Sequence, residues 1–211
     1  LAHELRTPIS NLLTQTQVSL AQQRDAAVYR EVLASNAEEL QRLARMVSDM
    51  LFLAKADHGL ALPRPERIVL SDEVRALFDF YEALAEEKGL RLALEGQAEV
   101  VGDRLMVRRA VSNLLSNALR HATPGTAVRV TLGGAGEETV LSVHNEGPCI
   151  DPRDLPRLFD RFYRVDKSRT HADTEGTGLG LAITQAIMRA HAGRAVAHSR
   201  DGQTTLSLHF P

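Results

Sequence analysis

Residues 113–121 read Asn113-Leu114-Leu115-Ser116-Asn117-Ala118-Leu119-Arg120-His121. Asn113 and Asn117 stand four positions apart, so on a helix they share one face. Neutral amide oxygens on one face suit a hard cation such as Mg2+, which takes oxygen ligands and keeps waters and substrate phosphates around it. Arg120 and His121 follow one turn on, within reach of an anion. The same Asn pair also fits a water-facing helix surface, so the surrounding sequence has to separate the two readings.

Upstream of this helix, Asp103 marks its start, after a short strand at Val100-Val101. Further back, Ile68-Val69-Leu70 reads as a strand. Ser71-Asp72-Glu73 caps a helix running to about Lys88, with Gly89 closing it. Leu90 to Leu94 alternates as a strand does. Downstream, Ala127–Leu132 and Thr139–Val143 alternate, and Gly133-Gly134-Ala135-Gly136 makes the turn between them. A loop-rich stretch covers 146–177. A helix over 178–191 and strands over 194–199 and 204–210 complete the chain. The expected class is α+β, with a mixed, mostly antiparallel sheet and helices on one face.

Residues 1 to about 58 differ. They hold one proline, Pro8, and almost no glycine. Leu33, Asn36, Leu40, Leu43, Val47, Met50 and Ala54 recur at alternating steps of three and four, a heptad seam. Leu5, Ile9, Leu12, Thr16 and Ser19 repeat the pattern more weakly, and Gln22-Gln23-Arg24-Asp25 breaks the two runs apart. The expectation is an antiparallel helical hairpin. Two seamed helices cannot bury their apolar faces alone, so a homodimer forming a four-helix bundle is expected. Asp57-His58-Gly59 and Leu62-Pro63-Arg64-Pro65 stop the second helix. The expected partition is 1–60 hairpin, 61–66 linker and 67–211 a second domain.

Three more stretches carry chemistry. Glu175-Gly176-Thr177-Gly178-Leu179-Gly180-Leu181 puts three glycines at the mouth of a helix, where backbone N–H groups and the helix dipole favour phosphate. It lacks the spacing of a dinucleotide fingerprint and the lysine of a P-loop. Its place after a long loop suggests a lid. Val143-His144-Asn145-Glu146-Gly147-Pro148-Cys149-Ile150 ends a strand in a turn, and the Asn145 amide there can read a base edge. Leu158-Phe159-Asp160-Arg161-Phe162-Tyr163 holds three of the nine aromatic residues, as a local mini-core or a docking surface.

Composition bounds the rest. The chain has 211 residues, 44% of them hydrophobic, with 25 basic and 27 acidic side chains. So balanced a charge gives no nucleic-acid footprint. A single cysteine, Cys149, makes no internal disulfide and fits a reduced, cytosolic setting. No apolar run of transmembrane length and no signal peptide is present. Leu1 already lies inside a helical phase, so the chain is expected to be the C-terminal part of a longer protein. Its histidines show no metal-ligand spacing.

Taken in order, these motifs resemble the catalytic core of bacterial sensor histidine kinases. The opening Leu1-Ala2-His3-Glu4-Leu5-Arg6-Thr7-Pro8 resembles the H-box of the dimerisation and phosphotransfer domain. Residues 113–121 resemble the N-box, 145–150 the first glycine box, 158–163 the F-box and 176–181 the second glycine box. The fold implied is a Bergerat-type ATP-binding α/β sandwich after a helical hairpin. Two positions depart from the pattern. Asn145 stands where the family usually has Asp, and Cys149 where it has a second Gly. Asn145 together with Leu155-Pro156-Arg157-Leu158-Phe159-Asp160-Arg161-Phe162-Tyr163-Arg164 is similar to the heavy-metal (copper or silver) sensor subfamily.

The resemblance implies that His3 takes the γ-phosphoryl of ATP, with Glu4 holding its other ring N–H. Thr7 implies a second activity, dephosphorylation of the partner. Pro8, lacking an N–H, loosens the helix beside His3. ATP is implied to lie on Asn113, Asn117, Arg120, His121, Asn145, Gly147, Ile150, Gly176, Thr177, Gly178, Leu179, Gly180 and Leu181, with Thr205 helping through a water and Mg2+ on Asn113 and Asn117. The implied partners are a second copy and the receiver domain of a response regulator. The implied location is the cytoplasmic portion of an inner-membrane protein, reaching the membrane only through upstream segments. Two rivals stand beside this reading. One is a related ATPase of the same fold, which would lack the His-Glu-x-x-Thr helix. The other is a dimeric scaffold that binds a regulator without catalysis.

Overall fold

The computed structural model describes residues 2–59, 64–135, 138–165 and 177–211, with the side chains of residues 2–4 and 135 left out. The chain divides into two compact units, Leu1–Phe52 and Leu53–Pro211. Among the described residues, no helix is long and apolar enough to cross a membrane.

The first unit is built from α1 (Ala2–Ala21) and α2 (Ala26–Asp57), whose last turn falls in the second unit. The break between the helices is pinned by Tyr29, whose hydroxyl donates to the Gln22 carbonyl at 3.1 Å and accepts from the Arg24 N–H at 3.3 Å. Asn36 Nδ2 donates to Thr16 Oγ1 at 3.2 Å, across two helices that run antiparallel. The heptad seam of α2 divides between two faces. Asn36, Leu43 and Met50 are half-buried, whereas Leu33 (66%), Leu40 (57%) and Val47 (46%) are exposed. The buried centre of α2 lies instead at Met46 and Leu53. Ile9, Leu13 and Leu20 of α1 are exposed as well.

The second unit runs β1 (Pro65–Val69), α3 (Leu70–Glu87), β2 (Arg91–Glu95), β3 (Glu99–Asp103), α4 (Arg104–His121), β4 (Ala127–Ala135), β5 (Glu138–Glu146), a 3-10 turn at Leu155–Arg157, α5 (Gly180–Ala190), β6 (Arg194–Arg200) and β7 (Gln203–Phe210). The main sheet has the order β2-β4-β5-β7-β6, parallel between β2 and β4 and antiparallel elsewhere. Strands β1 and β3 form a separate antiparallel pair. Alternate residues Val128, Val130, Leu141, Val143, Leu206 and Leu208 are buried beneath the helices, where Leu114, Leu115, Ile183 and Ile187 meet them. Each such side chain contributes about 1.5–3 kcal/mol on burial. The opposite sheet face is polar and half-buried, with Ser142 and Ser207 hydroxyls 2.8 Å apart.

Local expectations needed three corrections. Helix α3 begins at Leu70, directly after β1, and its N-cap Val69 supplies no side-chain bond. Ser71 is therefore inside the first turn and buried, while Asp72 and Glu73 complement the helix dipole there. Gly89 (φ +63°) closes the helix as expected: its N–H donates to the Glu86 carbonyl and that of Leu90 to the Ala85 carbonyl, the pair of hydrogen bonds of a Schellman end. Gly133 and Gly134 are not in the turn; they pair with Val140 and Thr139 within the β4–β5 ladder. The third correction, at Thr205, belongs to the site.

Helix α4 is fixed at its N-terminal end. Its N-cap Asp103 accepts from the Met106 N–H at 3.0 Å. The Asp103 N–H in turn donates to His191 Nε2 at 3.1 Å, and His191 Nδ1 meets the Ile187 carbonyl at 2.8 Å. A carbonyl only accepts and an N–H only donates, so the buried imidazole is the neutral Nδ1–H tautomer.

Candidate functional site

Helix α4 carries Asn113 and Asn117, both half-buried, on one face, and Arg120 and His121, both exposed, in its last turn. At one end of this ridge, Asn113 Nδ2 donates to the Gly180 carbonyl at 2.9 Å and lies 3.4 Å from Thr184 Oγ1. A Cβ at Gly180 would stand 3.5 Å from Asn113 Oδ1. The amide nitrogen is thus committed to α5, and the amide oxygen is the atom left to meet a cation. Such an oxygen donor fits Mg2+.

At the other end, Gly147 packs against the end of α4. A Cβ there would come within 2.3 Å of the His121 carbonyl, so only glycine fits. The Thr123 N–H donates to the Glu146 carbonyl at 2.8 Å, closing the same junction. From Asn113 to His121 is eight residues, about 12 Å of helix. The two glycine-containing turns therefore bracket the amide-bearing face.

The turn after β5 rests on the β6–β7 hairpin. Asp201 and Gly202 both take positive φ, as a two-residue hairpin loop requires. Gly202 accepts from the Gly147 N–H at 2.8 Å and donates its own N–H to Cys149 Sγ at 3.0 Å. Cys149 is exposed. Asn145 is 5% exposed and faces the helix layer.

Its neighbour across the ladder corrects the sequence reading. Thr205 pairs with His144 and lies on the polar face of the sheet, with its hydroxyl 2.9 Å from His144 Nδ1. The residue beside Asn145 on the inner face is Thr204, also 5% exposed. Successive strand residues point to opposite faces, so an error of one position inverts the assignment. Thr204 Oγ1 lies 3.0 Å from Ser199 Oγ, which accepts the Ile150 N–H at 3.0 Å. The sequence reading singled out none of Thr204, Ser199 and Thr184. The alternation within 203–210 signals a buried face but not which residue lies opposite Asn145.

The glycine-rich stretch is described from Thr177 onward; Gly176 lies outside the described residues. Gly178 has φ +68°, and its carbonyl accepts the Phe162 N–H at 2.9 Å. Thr177 Oγ1 accepts weakly from the Leu179 N–H at 3.4 Å. Leu179 is wholly buried and anchors the start of α5; Gly180 is its first residue and Leu181 follows. The 158–163 stretch is a half-buried local cluster. The Tyr163 hydroxyl donates to Asp154 Oδ1 at 2.6 Å, which holds the phenol above its ordinary range, and the Arg157 guanidinium lies 4.2 Å over its ring. His3 and Glu4 belong to α1, but their side chains lie outside the description; Thr7 is exposed on the same helix.

Residues 102–211 match the histidine kinase-, DNA gyrase B-, and HSP90-like ATPase family, and residues 1–59 match the His Kinase A (phospho-acceptor) domain. The chain belongs to this ATPase family. Sensor histidine kinase CusS of Escherichia coli K12 is 50% identical over 206 residues, covering 97% of this chain and 42% of that protein. The chain spans less than half the length of the curated relatives it matches. Acinetobacter baumannii histidine kinase AdeS has the same fold, with a TM-score of 0.80 at 23% identity, covering 99% of this chain and 96% of that one. Histidine kinase ThkA, solved in complex with response regulator protein TrrA, shares the fold with a TM-score of 0.77 at 19% identity, covering 100% of this chain and 59% of that one.

Proposed function

We propose that this chain is the kinase core of a two-component sensor. It transfers the γ-phosphoryl of ATP to His3, and from there to an aspartate on the receiver domain of a separate response regulator. The observation that carries this is the conjunction, in one chain, of a phospho-acceptor domain over 1–59 with a family ATPase domain over 102–211. The proposed partition is 1–60, a linker 61–66, and 67–211.

In the proposed mechanism, the neutral His3 imidazole attacks γ-phosphorus in line. The new N–P bond forms as the bond to the β,γ-bridging oxygen breaks, and ADP leaves. Glu4 holds the second ring N–H and takes up the positive charge that develops on the ring. The rest is positioning and charge neutralisation. Asn113 and Asn117 would hold Mg2+, which when bound neutralises phosphate charge. Arg120, His121 and the backbone of 176–181 face the phosphates. Asn145, with Gly147 and Ile150 behind it, receives the adenine. Thr7 orients water for dephosphorylating the phospho-regulator.

The partner copy docks along the exposed seam of α1 and α2, and the regulator docks near His3. The proposed location is the cytoplasmic portion of an inner-membrane protein, as the resemblance to sensor histidine kinases implies. The signal is a heavy metal such as copper, received upstream of this chain, as its likeness to that subfamily implies. The test is incubation with γ-labelled ATP and Mg2+, comparing wild type with His3→Gln. Acid-labile label on wild type alone is the expected result. Absence of label on a wild type that binds ATP would overturn the kinase reading in favour of a scaffold.

A further inference from the structure

Resting on the nucleotide site proposed above, we propose that this chain reads the purine through groups that both donate and accept, and that it therefore takes GTP as well as ATP. The inner-face residues at the end of β5 are Asn145 and Thr204, each 5% exposed and paired across the ladder. Ser199 stands 3.0 Å from Thr204 and accepts the Ile150 N–H. An amide carries a carbonyl acceptor and an NH2 donor, and a hydroxyl rotates to do either. Among the described residues, no carboxylate side chain is hydrogen-bonded to Asn145, Thr204 or Ser199. Glu146, next in the strand, is exposed, and Asp151 Oδ1 is engaged by the Arg153 N–H at 2.9 Å.

Adenine presents a 6-amino donor beside the N1 acceptor; guanine presents a 6-oxo acceptor beside the N1–H donor. The amide matches the first with its oxygen toward the 6-position, and the second when turned over. Among the described residues, no hydrogen bond fixes the Asn145 amide in one orientation. A carboxylate at this position would accept only, pairing with the adenine amino group and repelling the guanine oxygen. Discrimination between purines is strong only where a mismatched base leaves buried polar groups unpaired. The Asn145 amide pairs both its oxygen and its NH2 with either base.

The experiment is calorimetric titration of the whole chain with ATP and with GTP, each with excess Mg2+, for wild type and Asn145→Asp. Wild type is expected to bind the two within about tenfold of each other, and Asn145→Asp to prefer ATP by about a hundredfold or more. A wild type that binds ATP and rejects GTP by that margin overturns the inference while leaving the nucleotide site standing. A wild type that binds neither overturns both. The wild-type ratio decides the matter even if the variant does not fold. If Asn145→Asp melts as wild type does yet keeps the wild-type ratio, Asn145 is not the reader and the inference falls.

Discussion

The Phe162 N–H donates to the Gly178 carbonyl at 2.9 Å, and both residues hold positive φ, +63° and +68°. A non-glycine residue in that region costs about 1 kcal/mol or more, so the bond holds Phe162 where it would not rest alone. It fastens the 158–163 cluster to the glycines that open α5. A Cβ on Gly178 would stand 2.9 Å from Phe162 Cα. Gly178→Ala should therefore weaken ATP binding about tenfold or more, with a loss of only about 1–2 kcal/mol in global stability. Titration with a fluorescent ATP analogue, beside urea unfolding, checks this; unchanged affinity would refute the role given to the junction.

Strand parity makes a paired test. Thr204→Val removes a hydroxyl on the Asn145 side and should weaken ATP binding about five- to tenfold, the worth of one hydrogen bond. Thr205→Val removes a hydroxyl that serves His144 on the other face and should leave affinity within error. The reverse outcome would restore Thr205 to the site.

His144 gives the chain an acid sensitivity. Burial, and then the nearby Arg129 charge, hold its imidazole below the ordinary value of 6.5, against a smaller opposing pull from Glu95. Between 6.5 and the lower folded value the unfolded chain binds more protons, so stability rises with pH there. His144's contribution is present above pH 6.5 and is lost as the pH falls through that window. Urea midpoints measured from pH 7.5 down to about 5 should decline less steeply for His144→Gln than for wild type. Parallel curves would show that His144 does not drive the decline.

The exposed seam tests assembly. Leu33, Leu40 and Val47 repeat every seven residues along α2, with Leu51 beside them, all exposed in the single chain. Burying each against a second copy is worth about 1.5–3 kcal/mol at most. Leu40→Asp with Val47→Asp should convert a dimer to a monomer in sedimentation equilibrium while the helical circular dichroism remains largely intact. A double variant that still sediments as a dimer would place the interface elsewhere.

What the sequence made legible was local. The 3.5-residue period of α2, the helix start at Asp103, the Gly89 stop and the sharing of one face by Asn113 and Asn117 depend on neighbours a few positions away. The misread features depend on distant partners. The seam at 33–54 is periodic whichever helix it meets, so its period could not separate Asn36, turned toward Thr16, from Leu40, turned outward. Whether Thr204 or Thr205 lies beside Asn145 is set by the register of β7 on β5, some sixty residues away. Phe162 carries no mark of its positive φ, because the carbonyl that stabilises it belongs to Gly178. The importance of His191 was hidden for the same reason, since the N–H it receives comes from Asp103.

The clasp of His191 on Asp103 has a further consequence, for how this sequence can vary. A Cβ on Gly102 would come within 2.5 Å of the His191 ring. The hydrogen atom at position 102 is what admits the imidazole, so the two positions form one unit of inheritance. An alanine at 102 demands a smaller residue at 191, which then forfeits the acceptor for the Asp103 N–H. Position 102 cannot gain a side chain while position 191 keeps its imidazole.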